Sequence, residues 1–211
     1  MALRTIVAVP EKILRRKARP VSKFGDDLQV LVEDMIDTMR DAPGVGLAAP
    51  QVAEPIQLIV VEYGDDEDET VPKKLYVMAN PVITRMSPET EVGVEGCLSI
   101  PGIVGEVQRS MGVTVKGQNR HGQPMTVKAK GWLARIFQHE IDHLNGVLFT
   151  DRADKIWKPT EPSEDRVKAD SGFSNSNVSQ ASLADPLPQL RPPGYRYPKA
   201  GSFAGRGQRA G

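Results

Sequence analysis

The sequence predicts an α+β fold: several short strands between two helices, the second of which carries a His-Glu-x-x-His motif and is apolar enough to lie buried across the middle of the fold. Three observations point that way. Short apolar runs with strand patterning, separated by polar turns, recur between residues 55 and 130. An amphipathic helical repeat precedes them, and a second helix, apolar over much of its circumference, follows from Trp132 to Asn145.

Composition sets the outer bounds. At 211 residues the chain can bury one real core, and 27 Lys+Arg against 27 Asp+Glu argue against nucleic-acid binding driven by net charge. The opening apolar run, Ile6 to Val9, is ended by Pro10 and is too short for a secretory segment; nothing later has the length of a membrane span. A single cysteine, Cys97, excludes an intramolecular disulfide and fits a reducing compartment in which its thiolate is available. A cytoplasmic enzyme is the expectation.

Taken in order, the chain opens with a loop-like basic segment, Lys12 to Arg19, read as a solvated face. Leu28, Leu31, Val32, Met35, Ile36 and Met39 then recur at helical spacing, with Asp26 and Asp27 at the N-terminal end and Pro43-Gly44 beyond the other. Gly44 to Gln51 is a small-residue loop able to run close to a ligand, but it lacks the Gly-Lys-Ser/Thr ending of a phosphate loop. Ile56, Leu58, Ile59, Val60 and Val61 make a buried-strand pattern from Pro55 to Glu62, and the acidic run Asp65 to Glu69 a solvated turn. A second strand covers Leu75 to Met78 and is expected to stop at Asn80-Pro81. Val92-Gly93-Val94 leads into Glu95-Gly96-Cys97, and strands over Met111 to Lys116 and Met125 to Lys130 flank a polar turn holding a surface histidine, His121. Gly146 is placed to end the last helix in a left-handed cap. Residues 1–157 are expected to form the catalytic domain; residues 158–211, rich in Pro, Ser and Gly and mildly basic, are expected to be a disordered tail with at most a weak contact to an anionic partner.

Within the last helix, His139 and His143 stand one turn apart, so both imidazoles project from one stripe with Glu140 beside them. Two histidines leave a divalent ion short of ligands, because a catalytic site usually supplies three and keeps a position open for water. A metzincin would place a third histidine where Phe149 stands. A downstream glutamate would have to be Glu161 or Glu164, and the surrounding prolines forbid the helix that would aim them. Cys97, in Glu95-Gly96-Cys97-Leu98-Ser99, is the remaining candidate.

Three segments, Gly44-Val45-Gly46-Leu47-Ala48-Ala49-Pro50-Gln51, Glu95-Gly96-Cys97-Leu98-Ser99 and Gln138-His139-Glu140-Ile141-Asp142-His143, resemble in order and spacing the signature motifs of peptide deformylases. The likeness runs from about Leu3 to Arg152 and implies the deformylase-like fold, a mixed, mainly antiparallel set of strands wrapped around the helix of His139 and His143. It implies removal of the formyl group from the N-terminal formyl-methionine of nascent chains, with release of formate. It further implies that Cys97, His139 and His143 hold one divalent ion, that Glu140 is the general base, and that the Gln51 side chain and Leu98 backbone N–H donate to the oxygen of the tetrahedral intermediate. The resemblance suggests Fe²⁺ in the cell; a Cys-His-His set also accepts Zn²⁺, Ni²⁺ or Co²⁺.

Expected substrate contacts are Val45, Gly46, Gly96, Trp132, Ile136 and the methylenes of Arg135. Trp132 and Arg135 depart from the aliphatic residues of many deformylases, and Val104 stands where many bacterial members have an arginine. Glu95 and Arg109 are expected to form a buried pair that braces the Cys97 loop. The expected partners are nascent formyl-Met peptides, with the ribosome a candidate contact; no direct nucleic-acid function and no membrane association are expected, and a monomer is. Because the likeness begins almost at Met1, a bacterial cytoplasm is favoured over an organelle. The alternatives are a zincin-type metallopeptidase, which lacks its ligand at Phe149, and a catalytically silent metal- or peptide-binding protein of the same fold.

Overall fold

The computed structural model describes residues 2–64 and 72–159. The acidic run Asp65 to Glu69 and nearly all of the C-terminal tail lie outside these residues, as do Glu161 and Glu164. Helix α1 spans Asp26–Asp41 and helix α2 Gly131–Leu144. Strands β1 (Gly46–Ala48), β2 (Leu58–Tyr63), β3 (Lys74–Met86), β6 (Gly112–Gln118) and β7 (Pro124–Lys130) form one sheet in the order β1-β2-β3-β6-β7. A second sheet has the order β4-β5-β8, with β4 at Thr90–Cys97, β5 at Ile100–Ser110 and β8 at Lys155–Trp157. Neighbouring strands in both sheets run antiparallel.

Strand β2 shows why the larger sheet needs a helix on each face. Its continuous apolar run alternates by two, so Ile59 and Val61 join one cluster while Leu58 and Val60 join another. The first cluster is closed by Ala134, Ile136, Phe137, Ile141 and Leu144 of α2. The second is closed by Leu28, Leu31, Val32, Met35, Ile36 and Met39 of α1. Asp26 and Asp27 in the first turn of α1 favour the positive end of its dipole. Helix α2 ends with Gly146 at φ +75°, where any Cβ would also strike the carbonyl of Arg15 at 2.6 Å.

Three expectations change. The basic opening segment contains a 3-10 turn, Lys12–Arg15, whose Leu14 is fully buried while its basic side chains face solvent. Strand β3 runs on through Asn80-Pro81 to Met86. The ladder shifts register between Ala79 and Val82, and Asn80, at φ +52°, ties its side chain to both backbone groups of Val21. At that bulge Pro81 can do without the N–H that a regular strand residue would donate. Finally, Ile100–Ser110 is a long strand pairing with the whole of β4, where sequence patterning gave no strand.

Candidate metal centre

Cys97 ends β4, and a register shift between Gly96 and Cys97 turns the chain at this point. His139 and His143 reach towards it from α2, their ring centroids 5.0 Å apart. The three candidate ligand atoms lie within 4.8 Å of one another, and Cys97 Sγ is 3.2 Å from His143 Nε2. All three residues are buried. Phe149, where a metzincin ligand would stand, instead stacks on the His139 ring with centroids 6.3 Å apart and forms part of the apolar wall.

Glu95 fixes the orientation of His139. The imidazole donates from Nδ1 to Glu95 Oε2 at 2.9 Å, which leaves Nε2 as the ring nitrogen that can serve as a metal ligand. The carboxylate is fully buried and also accepts from Arg109 Nε at 2.8 Å, Arg109 Nη2 at 2.9 Å and Arg135 Nη1 at 2.9 Å. Burial alone would raise the Glu95 pKa, but the bonds from Arg109 and His139 outweigh it and hold the carboxyl well below its ordinary range. The expected Glu95–Arg109 pair is therefore present, and Arg109 continues it to Asp142 on α2.

The two histidines shift in opposite directions. Burial opposes the charged form of His139, yet its bonds to Cys97 and Glu95 prevail and raise its pKa to about 10. His143 moves the other way, well below the ordinary histidine value, because burial and the neighbouring His139 charge both disfavour a second proton. One sulfur and two imidazoles are a donor set suited to a borderline or soft divalent ion. Two buried polar atoms without a hydrogen-bond partner among the described residues, Glu140 Oε2 and His143 Nδ1, lie within this group. The residues fit a metal ion.

Around the centre lies a cleft lined by Val45, Gly46, Gln51, Gly96, Cys97, Leu98, His139 and Glu140. Burial pushes the Glu140 carboxyl up to about 7, close to the value that suits a general base at neutral pH. Gly46 is the close neighbour that makes room for it: a Cβ there would come within 2.8 Å of the Glu140 carboxyl carbon. Gln51 sits in the 3-10 turn Ala49–Val52. Its Oε1 accepts from the Ala48 N–H at 2.8 Å, which fixes the amide so that Nε2 points to Ser99 Oγ at 3.2 Å and Cys97 Sγ at 3.5 Å.

The structure thus brings together Cys97, His139, His143, Glu140, Gln51, Leu98, Val45, Gly46 and Gly96. Trp132, Arg135 and Ile136 are not among the cleft's lining residues. Ile136 is fully buried in the apolar cluster of α2, with Val45 and Trp132 packed against it. Arg135 turns its guanidinium to Glu95 and to the carbonyls of Val107 and Glu91. The role of Ser99 as an acceptor for Gln51 was not read from sequence, although it falls two residues after Cys97 in a segment already singled out.

Comparison with known proteins agrees with this geometry. A family model described as polypeptide deformylase matches residues 3–158. A peptide deformylase of Pelotomaculum thermopropionicum is 47% identical over 165 residues, covering 78% of this chain and all of that relative. The crystal structure of peptide deformylase from Thermotoga maritima superposes with a TM-score of 0.68 at 41% identity, covering 74% of this chain and 100% of that one. A Met-Ala-Ser-bound peptide deformylase from Acinetobacter baumannii is similar at 38% identity with a TM-score of 0.66, covering 72% of this chain and 98% of that one. No helix among the described residues is long and apolar enough to cross a membrane. Since the family model spans almost every described residue and the centre stands on the motifs that suggested the likeness, the chain belongs to the peptide deformylase family.

Proposed function

We propose that this protein hydrolyses the formyl group from the N-terminal formyl-methionine of newly made polypeptides, and that Cys97, His139 and His143 hold the divalent ion it needs. The observation that carries the reading is the close grouping of these three ligands beside a cleft lined by Glu140 and Gln51. Bound there, a divalent ion would supply Lewis acidity and lower the pKa of water from roughly 16 towards 7.

The protein's own residues account for the rest of the reaction. Glu140 takes the proton of the attacking water as oxygen adds to the formyl carbon. The Gln51 amide, already held with its NH₂ towards the centre, and the Leu98 N–H donate to the oxygen that becomes negative in the tetrahedral intermediate. As the C–N bond breaks, Glu140 passes its proton to the leaving amine, and formate departs. Val45, Gly46 and Gly96 border the peptide backbone. Val45, Trp132 and Ile136, which share one apolar cluster, together with the Arg135 methylenes, meet the methionine side chain. The cleft is narrow, which suits a small formyl group better than the interior of a folded chain.

Fe²⁺ is the proposed ion in the cell, a monomer the proposed form, residues 1–157 the catalytic unit and a bacterial cytoplasm the proposed location. Nascent peptides presented at the ribosome are the proposed encounter. Purified protein given formyl-Met-Ala-Ser should release formate and free Met-Ala-Ser; cleavage of an internal peptide bond would favour the metallopeptidase, and no reaction the silent binding protein. Anaerobic purification followed by metal analysis tests the Fe²⁺ assignment.

A further inference from the structure

We propose that Arg135 is a positioning residue, a three-pronged clasp that sets the Cys97-bearing β4–β5 hairpin against the histidine helix, with Gly93 as its seat. The inference rests on the metal reading above and concerns how the three ligands are kept in register.

Arg135 lies one turn before His139 on α2 and is 3% exposed. Its guanidinium makes three hydrogen bonds to the hairpin. Nη1 donates to Glu95 Oε1 at 2.9 Å and to the Val107 carbonyl at 2.7 Å, while Nη2 donates to the Glu91 carbonyl at 2.7 Å. Glu91, Gly93 and Glu95 alternate along one side of β4, and Val107 is the ladder partner of Gly93. The planar group therefore lies flat over Gly93. A Cβ at that position would come within 2.7 Å of Cζ and Nη2 and within 3.0 Å of Nε, so an alanine would lift the guanidinium from its seat.

The clasp acts on two ligands at once. Cys97 follows Glu95 by two residues on the same strand, so the contacts to β4 govern where its sulfur sits. Glu95 Oε2, on the carboxylate that Arg135 holds, is also the acceptor that orients His139. Arg109 cannot replace this function by itself. It belongs to β5, inside the hairpin, and among the described residues its direct bond to helix α2 is the one to Asp142. Arg135 and Asp142 thus pin the hairpin at either end of the segment that carries the histidines. A lysine would keep the charge but not the fork that spans two carbonyls and a carboxylate.

The test is equilibrium titration of the apo full-length protein with Co²⁺, read by the thiolate-to-cobalt absorption band that reports Cys97 ligation, alongside circular dichroism. Arg135→Met, Arg135→Lys and Gly93→Ala should each weaken Co²⁺ binding by about 10- to 100-fold, the usual cost of losing a group that supports a ligand, and should diminish the band. Gly93→Ala added to Arg135→Met should cost nothing further, because the glycine acts through the arginine. If Arg135→Met does not fold, Arg135→Lys and Gly93→Ala carry the comparison. Wild-type affinity and band in the folded Arg135 variants would overturn the inference, as would losses that multiply in the double variant. A wild-type protein that gives no thiolate-to-cobalt band would instead overturn the metal reading on which it rests.

Discussion

Replacing Gly46 with alanine should impair catalysis without disturbing the metal ligands. The added methyl would approach the Glu140 carboxyl carbon to 2.8 Å and its Cγ to 3.0 Å, whereas ordinary contact begins near 3.4 Å. Glu140 must therefore retreat by roughly half an ångström or more. It has little room to do so, being 1% exposed on a helix packed into the core. Misplacing a reacting group by about 1 Å typically costs about 100-fold. A fall in kcat of about 30- to 100-fold follows, equivalent to about 2 to 3 kcal/mol of transition-state stabilisation. None of the nearest atoms to the new methyl belongs to Cys97, His139 or His143, so metal content should stay at the wild-type level. Formate release under saturating formyl-Met-Ala-Ser, with metal analysis of the same sample, is the assay. A kcat within about twofold of wild type would refute the idea that Glu140 needs this position, since a rate effect of that size is under ~0.5 kcal/mol.

Gln51→Leu removes the donor that the Ala48 N–H holds in place, and kcat should fall by about two to three orders of magnitude with metal content unchanged; loss of the metal instead would assign Gln51 a structural task. Arg109→Ala leaves buried Glu95 and Asp142 short of a partner, so stability measured by urea denaturation should drop by about 3 to 5 kcal/mol and metal retention should fall; unchanged metal content would reject the bracing role. Asp34 supplies a pH prediction: the Ala2 N–H, opposed by burial and aided by Arg4, holds its carboxyl below the ordinary value. As pH falls the unfolded chain takes up this proton first, so the stabilisation is complete above about pH 4 and is lost as pH drops through the lower folded value. Urea midpoints of Asp34→Asn should accordingly change less between about pH 5 and about pH 3 than those of wild type, and parallel curves would contradict the assignment.

Much of this architecture was legible because a few residue patterns have only one physical use. The spacing of Trp132, Ile136, His139 and His143 made α2 a helix with its histidines on one stripe, and Gly146 marked its end by a conformation that other residues resist. Cys97 became legible once Phe149 and the downstream glutamates were set aside as ligands. Local signals misled where tertiary contacts decide. Pro81 normally ends a strand, but the side chain of Asn80 supports a bulge that accommodates it, and β3 continues. Strand β5 was hidden by Pro101, Gly102 and Gly105 and by the inward-facing Arg109, whose burial makes sense only with Glu95 and Asp142 across from it. For Arg135 only the methylenes were given a place by the sequence, and the destination of its charged end was not legible. Its guanidinium finds its partners on a strand some forty residues away, and Gly93, whose missing side chain makes room for it, was the one local hint.

The central claim is that Glu140, beside a Cys97-His139-His143 metal centre, drives formyl hydrolysis. The most direct measurement is formate release from formyl-Met-Ala-Ser by Glu140→Ala and wild-type protein loaded to the same metal content. The wild type should turn over, and the variant should be slower by about two to four orders of magnitude while keeping its metal. Formate release at the wild-type rate by the metal-loaded variant would contradict the account.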